Sequence, residues 1–211
     1  MSLRPDWIAR TSGALGRMRS AIRADYDAQC RFDVKYNVRS DVRPSLASDV
    51  FRRVGLQLSV AYRVMRFFDE AGTPLVPQVM SRLIRHAYGA DIHYKAQIEP
   101  GVMMVHGMGL AISHLARVGS GALVFQNVTL GAGLHPETRE AGAPTIEENV
   151  HIGPGAAIIG PVTIGARSKI MANCVVTRSV PPDSIVEAPA PEVKPRTRSR
   201  QTGLVDPQCP P

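Results

Sequence analysis

The stretch "IEENVHIGPGAAIIGPVTIGARSKIMANCVV", residues 146–176, determines how this chain folds. Ile146, Ile152, Ile158, Ile164, Ile170 and Val176 recur at every sixth position. Four residues after each stands a small or β-branched side chain: Val150, Ala156, Val162, Ser168, Cys174 and Val180. Glycine often follows the aliphatic residue, as in Ile152-Gly153 and Ile164-Gly165. A period of six fits neither the 3.6-residue turn of an α-helix nor the two-residue alternation of a lone strand. It fits a chain that lays down one short strand per six residues, with the aliphatic side chain pointing inward onto the unit one coil above. The small residue and the glycine let the backbone turn a corner. Three such units close one triangular coil, so the pattern predicts a left-handed parallel β-helix.

Outward from this stretch the same frame runs back through Leu130, Val124, Val118 and Ile112, then through Met104, Ile98 and Ile92. Val128, Ala122, Ala116, Val102 and Ala96 fill the small positions. The frame breaks twice. From Met104 to Ile112 the step is eight residues, through "MVHGMGLA" (104–111). From Leu130 to Ile146 it is sixteen, so ten extra residues protrude in "GAGLHPETREAGAPT" (131–145). Insertions in a solenoid emerge from its repeating core and commonly build the binding site. Both breaks carry a histidine, His106 and His135.

Residues 1–90 read as helical. "DVFRRVGLQLSVAYRVMRFFDE" (49–70) places Val50, Val54, Leu58, Ala61, Met65 and Phe68 at helical spacing and predicts one helix. Gly72 stops it. Thr73 and Pro74 supply an N-cap and a first-turn proline for a second helix through about Tyr88, closed by Gly89. A weaker pattern predicts an earlier helix near residues 11–28. The fold class is therefore α+β: an N-terminal helical region (1–90), a left-handed β-helix of hexapeptide repeats (91–187) with its loop 131–145, and a proline- and arginine-rich tail (188–211) expected to be disordered.

Composition narrows the function classes. Across 211 residues, 44% hydrophobic and 20% charged content is ordinary for a globular chain, while only 5% is aromatic. A formal charge of +7 suits an anionic ligand such as a phosphate-bearing cofactor, and suits nucleic acid or an acidic membrane equally. Cys30, Cys174 and Cys209 are odd in number and far apart, forming neither a metal pattern nor a disulfide framework, which favours a reducing compartment. The start has no signal-peptide core, and no apolar run is long enough to span a bilayer. The expectation is a cytoplasmic protein that contacts neither membrane nor nucleic acid.

"DIH" (91–93), "HGMG" (106–109), "QNVTLGAG" (126–133) and "HP" (135–136) resemble the serine acetyltransferases among hexapeptide-repeat acyltransferases, over roughly residues 40 to 190. The resemblance implies a metal-free enzyme of cysteine biosynthesis that moves an acetyl group from acetyl-CoA to L-serine, releasing O-acetyl-L-serine and CoA. It implies a homotrimer with sites between subunits, and the short helical region favours a trimer over a hexamer. The family's catalytic pair matches His106 and Asp91, and a second family histidine matches His135. Family CoA contacts fall on Ala132, Gly133, Pro154, Lys169 and Ala172.

The chemistry agrees with these residue types. Acyl transfer to a hydroxyl needs a base, and histidine titrates near neutrality; a positioned base contributes about 10²–10⁴ in rate. An acid such as Asp91 would hold the ring in the right tautomer. Asp91 lies fifteen residues before His106, most of one coil, so the pair is expected to approach the same edge. Glycine and alanine corners expose backbone amides to the pantetheine arm, while Lys169 and Arg167 could meet phosphate. His114 and His151 read as surface residues, and Met103, Met104 and Met108 as core filling or pocket wall, not a cofactor box.

The acceptor pocket departs from the family. Where its members carry an aspartate before the catalytic histidine and an arginine before the loop histidine, both holding serine, this chain has Val105 and Leu134. The family's Arg-Asp-Pro-Ala segment is poorly matched by "RSDVRPS" (39–45), in which Asp41 is the available substitute. The alternative is thus a different hydroxyl or amine acceptor, less charged or carried on a larger molecule. The terminal Pro210-Pro211 replaces the isoleucine by which family members dock onto the next enzyme, which argues against that partner. Two further classes are weighed. A zinc lyase of the γ-carbonic anhydrase type needs three converging histidines; His106, His135 and His151 supply the residues without the short spacing. A nucleic-acid binder would use "KPRTRSR" (194–200), which no recognition motif accompanies.

Overall fold

The structure is a computed structural model and describes residues 6–38, 45–135, 137–190 and 192. Asp41, Pro136 and nearly all of the basic tail, with its expected disorder, lie outside the described residues.

Four helices come first: α1 (Asp6–Lys35), α2 (Leu46–Arg52), α3 (Val54–Glu70) and α4 (Leu75–Tyr88). The single helix expected over 49–70 is broken at Arg53, whose backbone is extended (φ −118°, ψ 108°). Tertiary contacts override the pattern here. The Arg53 guanidinium donates two hydrogen bonds (2.9 and 2.7 Å) to the buried carboxylate of Asp33 on α1, and the break re-aims α3 so that Gly55 faces the β-helix. Helix α1 is longer than the pattern near 11–28 suggests. Such weakly amphipathic helices depend on tertiary packing, and α1 is tied to its neighbours through Arg17–Glu70, Asp25–Arg63 and Tyr26–Asp49. At the start of α4, Pro74 occupies the cap itself, while the Thr73 hydroxyl donates to the Phe68 carbonyl and closes α3. Gly89 ends α4 with φ +60°, as expected of a left-handed cap.

From Asp91 the chain winds through three parallel faces. The first stacks 91–92, 111–112, 129–131, 157–159 and 175–176; the second 97–98, 117–118, 145–146 and 163–164; the third 103–104, 123–124, 151–152, 169–170 and 185–186. Val180 bridges to Ile164 and continues the second face. The hexad positions point inward as predicted. Ile92, Ile112, Leu130, Ile158 and Val176 form one ladder, Ile98, Val118, Ile146 and Ile164 another, and Met104, Val124, Ile152 and Ile170 a third, all buried. Ile158→Ala would leave a void that rigid neighbouring coils cannot collapse into, and is expected to cost about 2–5 kcal/mol in denaturant unfolding. A cost below 1 kcal/mol would contradict this stacking.

Coil length locates the breaks. On the first face Asp91, Ala111, Thr129, Ala157 and Val175 are successive partners, 20, 18, 28 and 18 residues apart. The short extra loop lies on the edge between the third and first faces. The long one leaves the edge between the first and second faces as a hairpin, Gly133–Leu134 paired antiparallel with Ala141–Gly142.

The helices share the β-helix core. Leu58, Tyr62 and Met65 of α3 pack into the same buried cluster as Ile92, Ile98 and Met104. The Tyr62 hydroxyl donates to the Ala96 carbonyl (2.6 Å) and accepts from the Ile98 amide (3.2 Å). Arg63 donates to both Asp25 oxygens and to the Ile98 and Glu99 carbonyls, while Asp25 also accepts from the Gly101 amide. This network binds α1, α3 and the first coil into one unit. Among the described residues no helix is long and apolar enough to cross a membrane.

Candidate functional site

His106 lies at the centre of a strained turn. Its φ is +64°, and the Gly107 amide donates to the Val105 carbonyl across it (2.8 Å). This two-residue closure at positive φ is a γ-turn of the rare kind. Gly107 (φ +69°) and Gly109 (φ +67°) are also left-handed, so the glycines of "HGMG" are required by backbone geometry. The His106 side chain is exposed, whereas Val105 and Gly107 on either side are buried.

Beside it opens a cavity of about 440 Å³ between the turn and the helices. One wall comes from the β-helix: Met103, Met104, Val105, Met108 and Phe125. The other comes from α1 and the α2–α3 junction, including Phe32, Val38, Arg52, Arg53 and Gly55. Arg53 is neutralised by Asp33, which also accepts from the Gln29 amide (3.0 Å). The lining is therefore mostly apolar. A larger cavity of about 680 Å³ lies elsewhere, between α1, α3 and the second face, and none of the sequence-predicted site residues lines it.

Asp91 faces a different groove, of about 270 Å³, with His93, Ser113, His114 and Thr129. Its carboxylate pairs with Arg85 of α4 at 2.7 Å, both groups half-exposed. Among the described residues no hydrogen bond joins Asp91 to His106. The His93 and His114 rings stand 5.4 Å apart on successive coils, and the Lys95 amide donates to His93 Nδ1. Burial first, and then the neighbouring His114, hold the His93 pKa below its ordinary value. Sequence reasoning passed over His93, and the helical wall of the His106 cavity as well. One signal for that wall was available, because a glycine inside a helical pattern, here Gly55, costs helix stability and so calls for a packing reason.

The remaining candidates divide between two edges. Hydrogen bonding from Val105, Phe125, Gly153 and Met171 to the coil above aligns His106 with Gln126, Pro154 and Ala172 in one column along the edge between the third and first faces. In that column the side-chain oxygen of Gln126 is buried with no partner among the described residues. Ala132, Gly133, Leu134 and His135 stand instead at the edge between the first and second faces and in its hairpin. His135 Nδ1 accepts from the Glu137 and Thr138 amides, so the ring caps its own hairpin.

Lys169 points outward on the third face beside its strand partner His151, whose ring stacks on Phe125 at 5.0 Å. Burial, and secondarily Lys169, lower the His151 pKa. A histidine harder to protonate when folded makes the unfolded state bind more protons at acidic pH. Stability should therefore fall as pH drops through the ordinary imidazole value of 6.5, for His93 and His151 alike. Thermal melts between pH 7.5 and 5 should show this fall, and His151→Phe, which keeps the stack, should lessen it. An equal fall in the variant would exclude His151 as a source.

Comparison with known proteins places this geometry. The bacterial transferase hexapeptide (six repeats) family matches residues 143–178. The serine acetyltransferase of Synechococcus elongatus is 37% identical over 134 residues, 63% of this chain and 53% of the relative. That of Synechocystis sp. is 40% identical over 144 residues, 67% of this chain and 56% of the relative. The chain thus spans little more than half the length of these relatives. Among solved structures, serine acetyltransferase isoform 3 of Entamoeba histolytica, in complex with cysteine, superposes with a TM-score of 0.70 at 28% identity, covering 90% of this chain and 66% of that one. The Neisseria gonorrhoeae serine acetyltransferase in complex with serine gives a TM-score of 0.70 at 25% identity, covering 86% and 72%. The likeness extends over the helices as well as the β-helix.

Proposed function

We propose, since the chain belongs to the serine acetyltransferase-like family of hexapeptide-repeat acyltransferases, that it transfers the acetyl group of acetyl-CoA to a hydroxyl, with L-serine as the first acceptor to test. The observation that carries this reading is His106, held exposed in a strained turn at the mouth of a cavity. In the proposed step the imidazole takes the acceptor hydroxyl proton as the oxygen attacks the thioester carbon. The tetrahedral adduct collapses, the carbon–sulfur bond breaks, and the proton passes from His106 to the departing CoA thiolate. No metal has a part in this step.

The two-edge division of the candidates supports a homotrimer with sites between subunits. In this reading the edge with His106, Pro154 and Ala172 in one copy meets the hairpin edge with Ala132, Gly133 and His135 in the next. Lys169 would meet the CoA phosphates, since an ammonium binds phosphate as a point charge. Asp91 is proposed to orient His106 after exchanging its Arg85 partner, and an exposed pair of that kind is worth little in water. A cytoplasmic location belongs to the same proposal. Sedimentation of a stable monomer that turns over substrate would remove the inter-subunit site.

A second reading of the acceptor rests on the cavity itself. Val105, Met103, Met108, Phe32 and Phe125 give the cavity a mostly apolar wall, in which charge among the described residues is confined to Arg52 and the Arg53–Asp33 pair, and about 440 Å³ falls in the range that holds ligands well above serine in size. An acceptor with an apolar body bearing a hydroxyl or amine fits these walls better. Thiol release from acetyl-CoA, run with serine, homoserine, simple sugars, aminoglycoside-like acceptors and aromatic or long-chain amino alcohols, separates the two. Turnover with serine at least as fast as with any other acceptor supports the family substrate. Turnover only with a bulkier acceptor makes Val105 and Leu134 the residues that changed specificity. Failure to bind CoA at all would exclude acyl transfer.

A further inference from the structure

We infer that Gly55, on helix α3 of the N-terminal region, is a positioning residue that holds the His106 turn in its left-handed conformation. The inference rests on the proposed role of His106 as base. A Cβ built on Gly55 would stand 1.8 Å from the Met104 carbonyl oxygen and 3.5 Å from the His106 amide nitrogen. The contact is reciprocal, since a Cβ on Gly107 would meet Leu58 Cδ1 at 2.6 Å and the Gly55 Cα at 3.1 Å. Backbone therefore lies directly on backbone, from Met104 to Gly107 on one side and along the first turn of α3 on the other.

This contact accounts for a turn that the repeat alone would not keep. A regular unit takes six residues, and the unit holding His106 has eight. Regular corners also hold non-glycine residues at positive φ, Arg167 (φ +61°) among them; each costs energy that its surroundings must offset, and at the His106 turn some of those surroundings are not the repeat's own. The α3 surface supplies them from one side, and α3 is in turn held down by Tyr62 and Arg63, each bonded to the first coil. The break at Arg53 belongs to the same device, because it lets α3 begin where Gly55 meets the turn. The helical region is thus part of the catalytic unit. Its contact with the turn sets where the imidazole points.

Gly55→Ala in the full chain tests this, with Gly119→Ala as a control for backbone crowding elsewhere. A Cβ on Gly119 would meet the Glu147 backbone at 2.8 Å, a milder clash of the same kind at another edge. The readout independent of activity is the histidine ring-proton NMR spectrum, with His106→Ala identifying the His106 signal among the six histidines. The expectation is that Gly55→Ala moves the His106 signal and that Gly119→Ala does not. With acetyl-CoA as donor, Gly55→Ala should lower kcat by about 10²-fold, the size of effect a 1 Å misplacement brings, while acetyl-CoA affinity stays within about threefold. If Gly55→Ala does not fold, Leu58→Val, which trims the side chain pressing on Gly107, is read by the same two criteria. An unmoved His106 signal in the folded variant, or an equal displacement in Gly119→Ala, overturns the inference. A parent protein without acetyl transfer defeats the functional proposal alone, and the spectrum still decides on Gly55.

Discussion

Replacing His106 by alanine is expected to lower kcat for acetyl transfer by about 10²–10⁴-fold, the contribution of a positioned general base, and to leave acetyl-CoA affinity nearly unchanged. The imidazole acts on the reacting hydroxyl, so its loss falls on the transition state more than on ground-state binding. Folding should survive. The side chain is exposed, and alanine tolerates the left-handed backbone at only a modestly greater cost than histidine. His106→Asn sharpens the test, because asparagine visits that backbone region more readily and keeps the turn while removing the base. Loss of similar size in both variants assigns the effect to proton transfer. Retention of turnover within tenfold in either one would refute His106 as the base.

The second large effect concerns stability. Arg63 and Asp25 form a buried ion pair (2.9 Å), their side chains 7% and 2% exposed. Four of the five guanidinium N–H groups and both carboxylate oxygens are engaged, across α1, α3 and the first coil. Arg63→Ala leaves the Asp25 carboxylate buried and uncompensated, and frees two carbonyls. Breaking one side of such a pair costs about 3–5 kcal/mol, which in a chain of this size lowers the melting temperature by roughly 10 °C. The double replacement Arg63→Met, Asp25→Leu should recover much of that loss, because an apolar pair needs no compensation. A double variant no more stable than Arg63→Ala would mean that the carbonyl contacts, and not the ion pair, carry the stabilisation.

The β-helix was legible because its rule is local and repeated. Each aliphatic residue from Ile92 to Val176 needs only its counterparts one coil away, so the period of six shows in the bare chain, and so do the two breaks in it. His106 was found for the same reason, as a departure from a regular count. Gly89 and the glycines of "HGMG" announced their turns through the one residue type free to adopt positive φ. In the helices the signal is weaker. Arg53 interrupts an unbroken helical pattern because Asp33, twenty residues earlier, takes its guanidinium.

The pairing of Asp91 with Arg85, the hairpin role of His135 and the seat of the His106 turn on Gly55 arise from contacts between segments distant in sequence. No spacing rule predicts which carboxylate a guanidinium will reach, since several partners lie within range and packing chooses among them. Fold class and the location of the breaks therefore follow from periodicity, which side-chain volume and inward stacking impose residue by residue. The orientation of the catalytic candidates, and their separation onto two edges of one chain, depend on how the helices dock against the first coil. That docking is a balance of buried contacts that exists only once the chain has folded.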